Sequence, residues 1–198
     1  MTKFVSLILV ICLFVSCGGS ENEGNNTTDS TATTNNENEK MAQLKSVYAE
    51  IEGYLISGEV EKIKKFFYNN EDILVVENPG VFIVGYFTKD ISTLENLEFS
   101  ASELKMEALP TYNMEMGEWS KEGCFASEVQ NVDFEKFLQS KVDYLELEVP
   151  QEEFEKAKKY ETLSTHQILL TFNIVSFYFT YQNNQWYITA IDMSDFSA

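Results

Sequence analysis

The sequence contains no arginine: its 14 basic side chains are all lysine, set against 32 acidic ones, for a formal net charge of −18. Nucleic-acid phosphates demand patches of Lys and Arg, so this balance excludes nucleic acid as a partner. The same absence disfavours recognition of phosphate, carboxylate or anionic lipid by bidentate guanidinium forks. Histidine occurs once, as His166, and cysteine three times. Cys12 and Cys17 lie near the start, which leaves Cys124 alone in the rest of the chain; an intrachain disulfide there is ruled out, and stability has to come from packing. One histidine and one cysteine cannot furnish the usual zinc ligand sets. Also missing are a D-x-D-x-D-G calcium loop, a glycine-rich phosphate cradle and a G-x-S-x-G nucleophile elbow. Carboxylates are plentiful, but no spacing among them picks out a facing glycosidase pair. The residues therefore point to a domain without a cofactor or metal and, in function, to a non-enzyme. Cys124, in Gly123-Cys124-Phe125-Ala126, reads as a buried small residue.

What is present begins with Lys3 and an uncharged apolar run from Phe4 to Val15, the length of a secretory h-region and too short to cross a bilayer. Leu13-Phe14-Val15-Ser16 leads directly into Cys17. This stretch resembles the lipobox of bacterial lipoproteins, with Phe14 where Leu is commonest. The resemblance implies cleavage before Cys17, a thioether-linked diacylglycerol on its sulfur and a further acyl chain (a palmitate, for instance) on the new α-amine. Two or three acyl chains anchor a protein durably where one does not. Gly18 after the cysteine implies delivery to the outer membrane, and Glu21 and Glu23 are similar to a surface-export signal of Bacteroidota lipoproteins. Residues 1–16 are thus expected to be a signal peptide and residues 17–40 a lipidated cysteine followed by a polar, disordered stalk, because Gly, Asn, Thr, Ser and Glu cannot bury enough apolar area to order themselves. Within it Asp29-Ser30-Thr31 resembles a short bacterial O-glycosylation motif, which makes Ser30 a candidate sugar acceptor.

Residues 41–198 have the size of one domain with one core. Met41, Leu44, Val47, Tyr48, Ile51, Tyr54 and Leu55 recur at helical spacing and predict an amphipathic helix that ends near Gly58. A second short helix is expected over residues 60–67, with Val60, Ile63, Phe66 and Phe67 inward and Lys62, Lys64 and Lys65 outward. Residues 73–76 and 81–87 read as a hairpin about Asn78-Pro79-Gly80. Leu97, Phe99 and Ala101 alternate as in a strand, and residues 114–129 read as two short strands about Ser120–Gly123. From Phe134 to Leu163 the chain reads as two helices broken at Val149-Pro150, with Asp133 or its neighbours starting the first. The Gln151–Glu155 acidic run suits a helix N-terminus. Last, residues 167–181 read as one long strand, turned at Asn183-Asn184 into a second strand from Trp186 to Asp192.

This order, closing on Asn-Asn-Gln-Trp-Tyr-Ile-Thr-Ala-Ile-Asp, resembles the NTF2-like, or cystatin-like, cone: an α+β fold with N-terminal helices packed on a curved antiparallel sheet, here with a helical insertion before the C-terminal hairpin. The resemblance implies a conical pocket that members use as enzymes or as binders. Its enzymes place an Asp or His base there, so His166 is weighed against the plainer reading of a solvent-touching strand end. Asn173, a polar residue in an apolar strand, is expected to line a pocket or satisfy a bulge; Trp186 joins His166 and Asn173 as a candidate pocket residue. The functional expectation is a lipid-anchored envelope protein whose domain binds a small ligand or protein. Two alternatives accompany it: an immunity or inhibitor lipoprotein that masks a basic toxin or hydrolase by charge complementarity, and a pocket enzyme on the cone.

Overall fold

The computed structural model describes residues 30–129 and 131–194. Cys17 and residues 1–16, over which a signal peptide is expected, lie outside the described residues. The chain is α+β, with a seven-stranded mixed sheet and a separate two-stranded hairpin.

The first helix, α1 (Ser30–Ser57), reaches back into the tract read as stalk, so residues 30–40 are helical and Ser30 is its first residue. Its polar first turns have local reasons to stay helical near residue 40. Glu37 and Lys40 pair at 2.6 Å, and the Trp186 indole N–H donates to the Lys40 carbonyl at 2.9 Å, tying the helix to the sheet. Leu44, Tyr48, Ile51 and Leu55 form the buried stripe, and Gly58, at φ +72°, ends the helix in the left-handed conformation that glycine adopts without strain. The expected second helix is a 3₁₀ helix, Val60–Phe66, with Val60 and Ile63 buried; another 3₁₀ turn spans Tyr68–Asn70.

Strands β1 (Ile73–Glu77) and β2 (Val84–Thr88) form the expected antiparallel hairpin. Phe82 and Val81 remain in the loop, Val81 almost fully exposed. The strand expected around Leu97 is absent: residues Ser92–Asn96 make a 3₁₀ helix, and Leu97 and Phe99 pack on the core from irregular backbone. Pairing begins only at β3 (Leu104–Met106), parallel to β6. The expected hairpin about Ser120–Gly123 is likewise replaced. There β4 (Tyr112–Asn113) pairs with β5 (Glu118–Trp119). The tight turn lies between them, where Asn113 Oδ1 accepts from the amides of Glu115 and Met116, while β6 (Cys124–Glu128) pairs with β3 and β7.

The helical insertion follows as α2 (Glu135–Leu145) and α3 (Gln151–Leu163). Strands β7 (His166–Leu170), β8 (Val175–Gln182) and β9 (Gln185–Asp192) complete the sheet, whose strand order is β2-β1-β9-β8-β7-β6-β3. The single strand expected over 167–181 is therefore two antiparallel strands, joined by a turn at Thr171–Ile174 in which Ile174 takes φ +52°. The β8–β9 turn is as expected, with Asn183 and Asn184 at φ +52° and +62°, the pattern of a type I′ hairpin.

Helices cover both faces of the sheet. Beneath α1, Ile63, Phe67, Ile73, Val75, Ile168, Phe177, Phe179 and Ile188 pack together with no exposure above a few per cent. On the other face, Leu74, Val76 and Ala190 pack against Phe134, the residue before α2, Leu138 of α2, and Ala157 and Tyr160 of α3. A bulge reconciles the two layers: Tyr178 pairs with Ala190 and Phe179 with Ile188, so Thr189 is the extra residue that resets which side chains face α1. Among the described residues, no helix is long and apolar enough to cross a membrane.

Candidate functional site

Antiparallel pairing brings the ends of β6 and β8 and the starts of β7 and β9 to one end of the sheet. On the α1-facing side, Ala126 pairs with Ile168 and Ile168 with Phe177. One row further out, Glu128 pairs with His166 and His166 with Phe179. The apolar core thus gives way to polar side chains on the same face, as strand alternation from Cys124 through Ala126 to Glu128 requires. A cleft of about 590 Å³ opens at this end. Its floor carries His166, Tyr181 and Trp186; Glu37 and Lys40 of α1, Glu128 of β6 and Glu161 of α3 complete the charged wall.

The aromatic floor is locked. Trp186 is 2% exposed, with its N–H held by the Lys40 carbonyl, and its ring meets His166 edge-on at 4.9 Å and Tyr181 at 5.0 Å. His166 is 8% exposed, so the strand-end histidine is buried, contrary to the solvent-touching reading. Its Nδ1 lies 3.1 Å from Thr165 Oγ1. The same hydroxyl also lies 3.4 Å from the Phe179 carbonyl, to which it can donate. Burial lowers the His166 pKa from its ordinary value, opposed by the nearby carboxylates of Glu128 and Glu37 and reinforced by Lys40.

The charged wall divides into engaged and open groups. Glu161 accepts from the backbone amides of Phe134 at 2.6 Å and Glu135 at 2.9 Å, capping α2 from the neighbouring helix. Lys40 is paired with Glu37 and stands 5.4 Å from the centroid of the Tyr181 ring. Glu128 is exposed and enters no ion pair among the described residues.

The sequence-derived candidates separate here. His166 and Trp186 share the cleft, whereas Asn173 lies in the β7–β8 turn, where its Nδ2 donates to the Glu98 carbonyl at 2.9 Å beside a smaller hollow of about 350 Å³. The turn residue thus needs no bulge to explain its polarity. Glu37, Lys40, Glu128, Glu161 and Tyr181 were not singled out by sequence reasoning. The alternation Cys124, Ala126, Glu128 and Leu170, Ile168, His166 would have placed two of the groups on one face, had the strand ends been known. Cys124 is buried as expected, its thiol pushed up to about 12 by burial, with Glu52 acting in the same sense and Tyr48 against it. No group of three or more His, Cys, Asp or Glu side chains among the described residues is arranged to hold a metal ion. Compared with protein-family models, with curated proteins and with solved structures, the chain matches none.

Proposed function

We propose that this chain is a lipid-anchored, non-enzymatic binding protein of the bacterial cell envelope, held at the outer membrane through Cys17, with the cleft around His166 as its binding surface. The observation that carries the binding reading is the cleft itself: a preformed hollow of about 590 Å³ with a rigid aromatic floor and an acidic wall. The lipobox stretch ending at Cys17 supports the anchor. An NTF2-like cone as the underlying fold is supported by the α1 helix and 3₁₀ turns lying on the face of a sheet whose last strand runs through Trp186 and Ile191. The fully buried apolar side chains under α1 occupy the place of a cone's deep pocket, which favours binding at the open end over chemistry in the interior.

A second reading, an immunity or inhibitor lipoprotein against a basic toxin or hydrolase, draws on the net charge of −18. An acidic surface speeds encounter with a basic partner and weakens with salt. One experiment bears on both. The full chain and its Glu128→Lys variant are isolated from membranes in mild detergent at low salt, and retained proteins and small molecules are identified by mass spectrometry. The proposal expects a molecule held by the wild-type chain and lost from the variant; a basic protein released by high salt would select the second reading. Identical retention by the two chains would overturn the cleft as the binding surface.

A further inference from the structure

We infer that the groove between the end of α2 and the start of α3 docks an amphipathic segment of a partner protein, apolar along one face and bordered by lysine or arginine. The inference lies beyond the cleft reading and does not depend on it.

The groove, of about 570 Å³, is lined by Val142, Leu147, Val149 and Phe154, with Glu146 and Glu148 beside them. It exists because the apolar stripe of α2 outruns its cover. Leu138, Val142 and Leu145 follow one another at steps of four and three and so share a face. Leu138 is fully buried, whereas Val142 and Leu145 are 37 and 42% exposed. The far wall is set by the backbone. Glu146 takes φ +53° at the end of α2, and the Leu147 amide returns to the Lys141 carbonyl at 3.2 Å, which holds Leu147 in place although it is 49% exposed. On a neighbouring face of α2, Phe82 stacks on Tyr144 with ring centroids 4.1 Å apart, and Tyr144 stays 56% exposed. Exposed apolar side chains gathered in one place mark an interaction surface.

Charge selects the occupant. From Gln139 to Phe154 the chain carries Asp143, Glu146, Glu148, Glu152 and Glu153 against Lys141 alone. Glu146 and Glu148 are exposed and enter no ion pair among the described residues. A second copy would set like charges against each other across this patch, and anionic lipid meets the same repulsion. The chain's own tracts at 18–29 and 195–198, outside the described residues, are acidic and contain no lysine, so they match no better. A segment with Lys or Arg beside its apolar anchors is complementary to both the groove and its rim, and the Tyr144 ring offers such a cation a π face. Position agrees with a protein partner. Glu161, which lines the cleft, caps the start of α2, so α2 runs away from the cleft and from Glu37 and Lys40 of α1. For a chain tethered ahead of α1, the groove is therefore at the remote end.

The test uses the full chain in phosphatidylcholine nanodiscs, with empty nanodiscs as the blank, and reads the fluorescence anisotropy of labelled peptides. Three peptides are compared: one with Leu along one helical face and Lys along the other, one of the same composition in scrambled order, and one with Glu in place of Lys. The inference expects saturable binding of the first, binding of the second weaker by about tenfold, and none of the third. Leu147→Ser should weaken the first peptide by about three- to tenfold, the worth of a half-exposed leucine, and its exposure keeps the fold intact. Glu146→Gln together with Glu148→Gln should weaken it by about three- to tenfold and flatten its salt dependence. Met116→Ser, exposed in the β4–β5 turn, should leave it unchanged. Equal binding of the scrambled peptide, tighter binding of the Glu peptide, or a loss with Leu147→Ser no larger than with Met116→Ser would overturn the inference. Pairs of wild-type chains that Leu147→Ser separates would give the groove to a second copy and overturn it too. So would amide exchange over residues 142–149 that is slower on the nanodisc than in the chain cut free of it, which would give the groove to lipid. Failure of the Glu128→Lys test above refutes the cleft and not the groove, and failure here refutes the groove and not the cleft.

Discussion

Glu161 of α3 caps the start of α2, beside the Lys158–Glu135 ion pair at 3.0 Å that also links the two helices, and its removal has a size that can be worked out. The first amides of an α-helix have no intrahelical acceptor. At the start of α2, the amides of Phe134, its N-cap residue, and of Glu135 are met by one carboxylate oxygen of Glu161, from α3, at 2.6 and 2.9 Å. The consequence reaches the core, because Phe134 is 1% exposed and its ring meets Tyr178 of the sheet edge-on at 5.2 Å. A hydrogen bond to a charged group contributes about 1.5–3 kcal/mol when well sheltered. Glu161 is only partly buried, and water can reach the freed amides in part, so Glu161→Ala should cost about 2 kcal/mol for the pair. Glu161→Gln keeps an acceptor oxygen and loses the charge, and should cost about half as much. For a domain of this size a urea dependence of about 2 kcal/mol per M converts the alanine effect to a midpoint lowered by about 1 M. Urea unfolding of the chain from residue 18 onward, followed by tryptophan fluorescence and far-ultraviolet dichroism, measures it. Glu155, exposed on the same helix, is the control, and its alanine variant should stay within about 0.5 kcal/mol of wild type. An alanine effect at Glu161 no larger than at Glu155, or equal losses for Ala and Gln, would refute the capping argument.

Three further outcomes are expected. Gly85→Ala should destabilise by about 1–3 kcal/mol in thermal or urea unfolding, because a Cβ there would stand 2.9 Å from Phe137 Cβ and 3.2 Å from Leu74 Cδ1, forcing α2 off the sheet; an unchanged midpoint would contradict that close approach. Cys124, its thiol raised to about 12 and fully buried, should resist iodoacetamide at pH 8 in the native protein and react once urea unfolds it, as peptide mass spectrometry would show. His166 should titrate below its ordinary value of 6.5. Since the unfolded chain then takes up the proton first, the His166 contribution to folding stability should be constant above pH 6.5 and decline as pH falls from there to the native pKa. His166→Gln should flatten that part of the curve; an Hε1 midpoint at or above 6.5 would contradict the burial argument.

Where the sequence alone was informative, one physical signal dominated. The α1 stripe repeats at helical spacing through Leu44, Tyr48, Ile51 and Leu55, and all four are buried. Asn183 and Asn184 tolerate the positive φ that a two-residue hairpin turn imposes, so that turn could be placed. The β7–β8 turn could not. Its residues, Thr171, Phe172, Asn173 and Ile174, include no glycine or proline, and a β-branched residue takes φ +52°. The flanking strands are also covered on both faces, so no change of periodicity marks where one stops. Likewise Leu97 and Phe99 are partly buried by irregular chain, which alternation cannot distinguish from a strand. The cleft was half legible. His166 and Trp186 stood out as a lone histidine and a buried aromatic, but Glu128 and Glu37 look like any other acidic residue until strand register and helix position bring them to the same hollow.

Location, access to partners and the use of the cleft all depend on Cys17 being the tether. The most direct measurement is mass spectrometry of the N-terminal peptide of the protein purified from its own membranes. The account predicts a chain that starts at Cys17 and carries a diacylglycerol thioether and an acylated α-amine. A chain that starts elsewhere, or at Cys17 with an unmodified thiol, would contradict it.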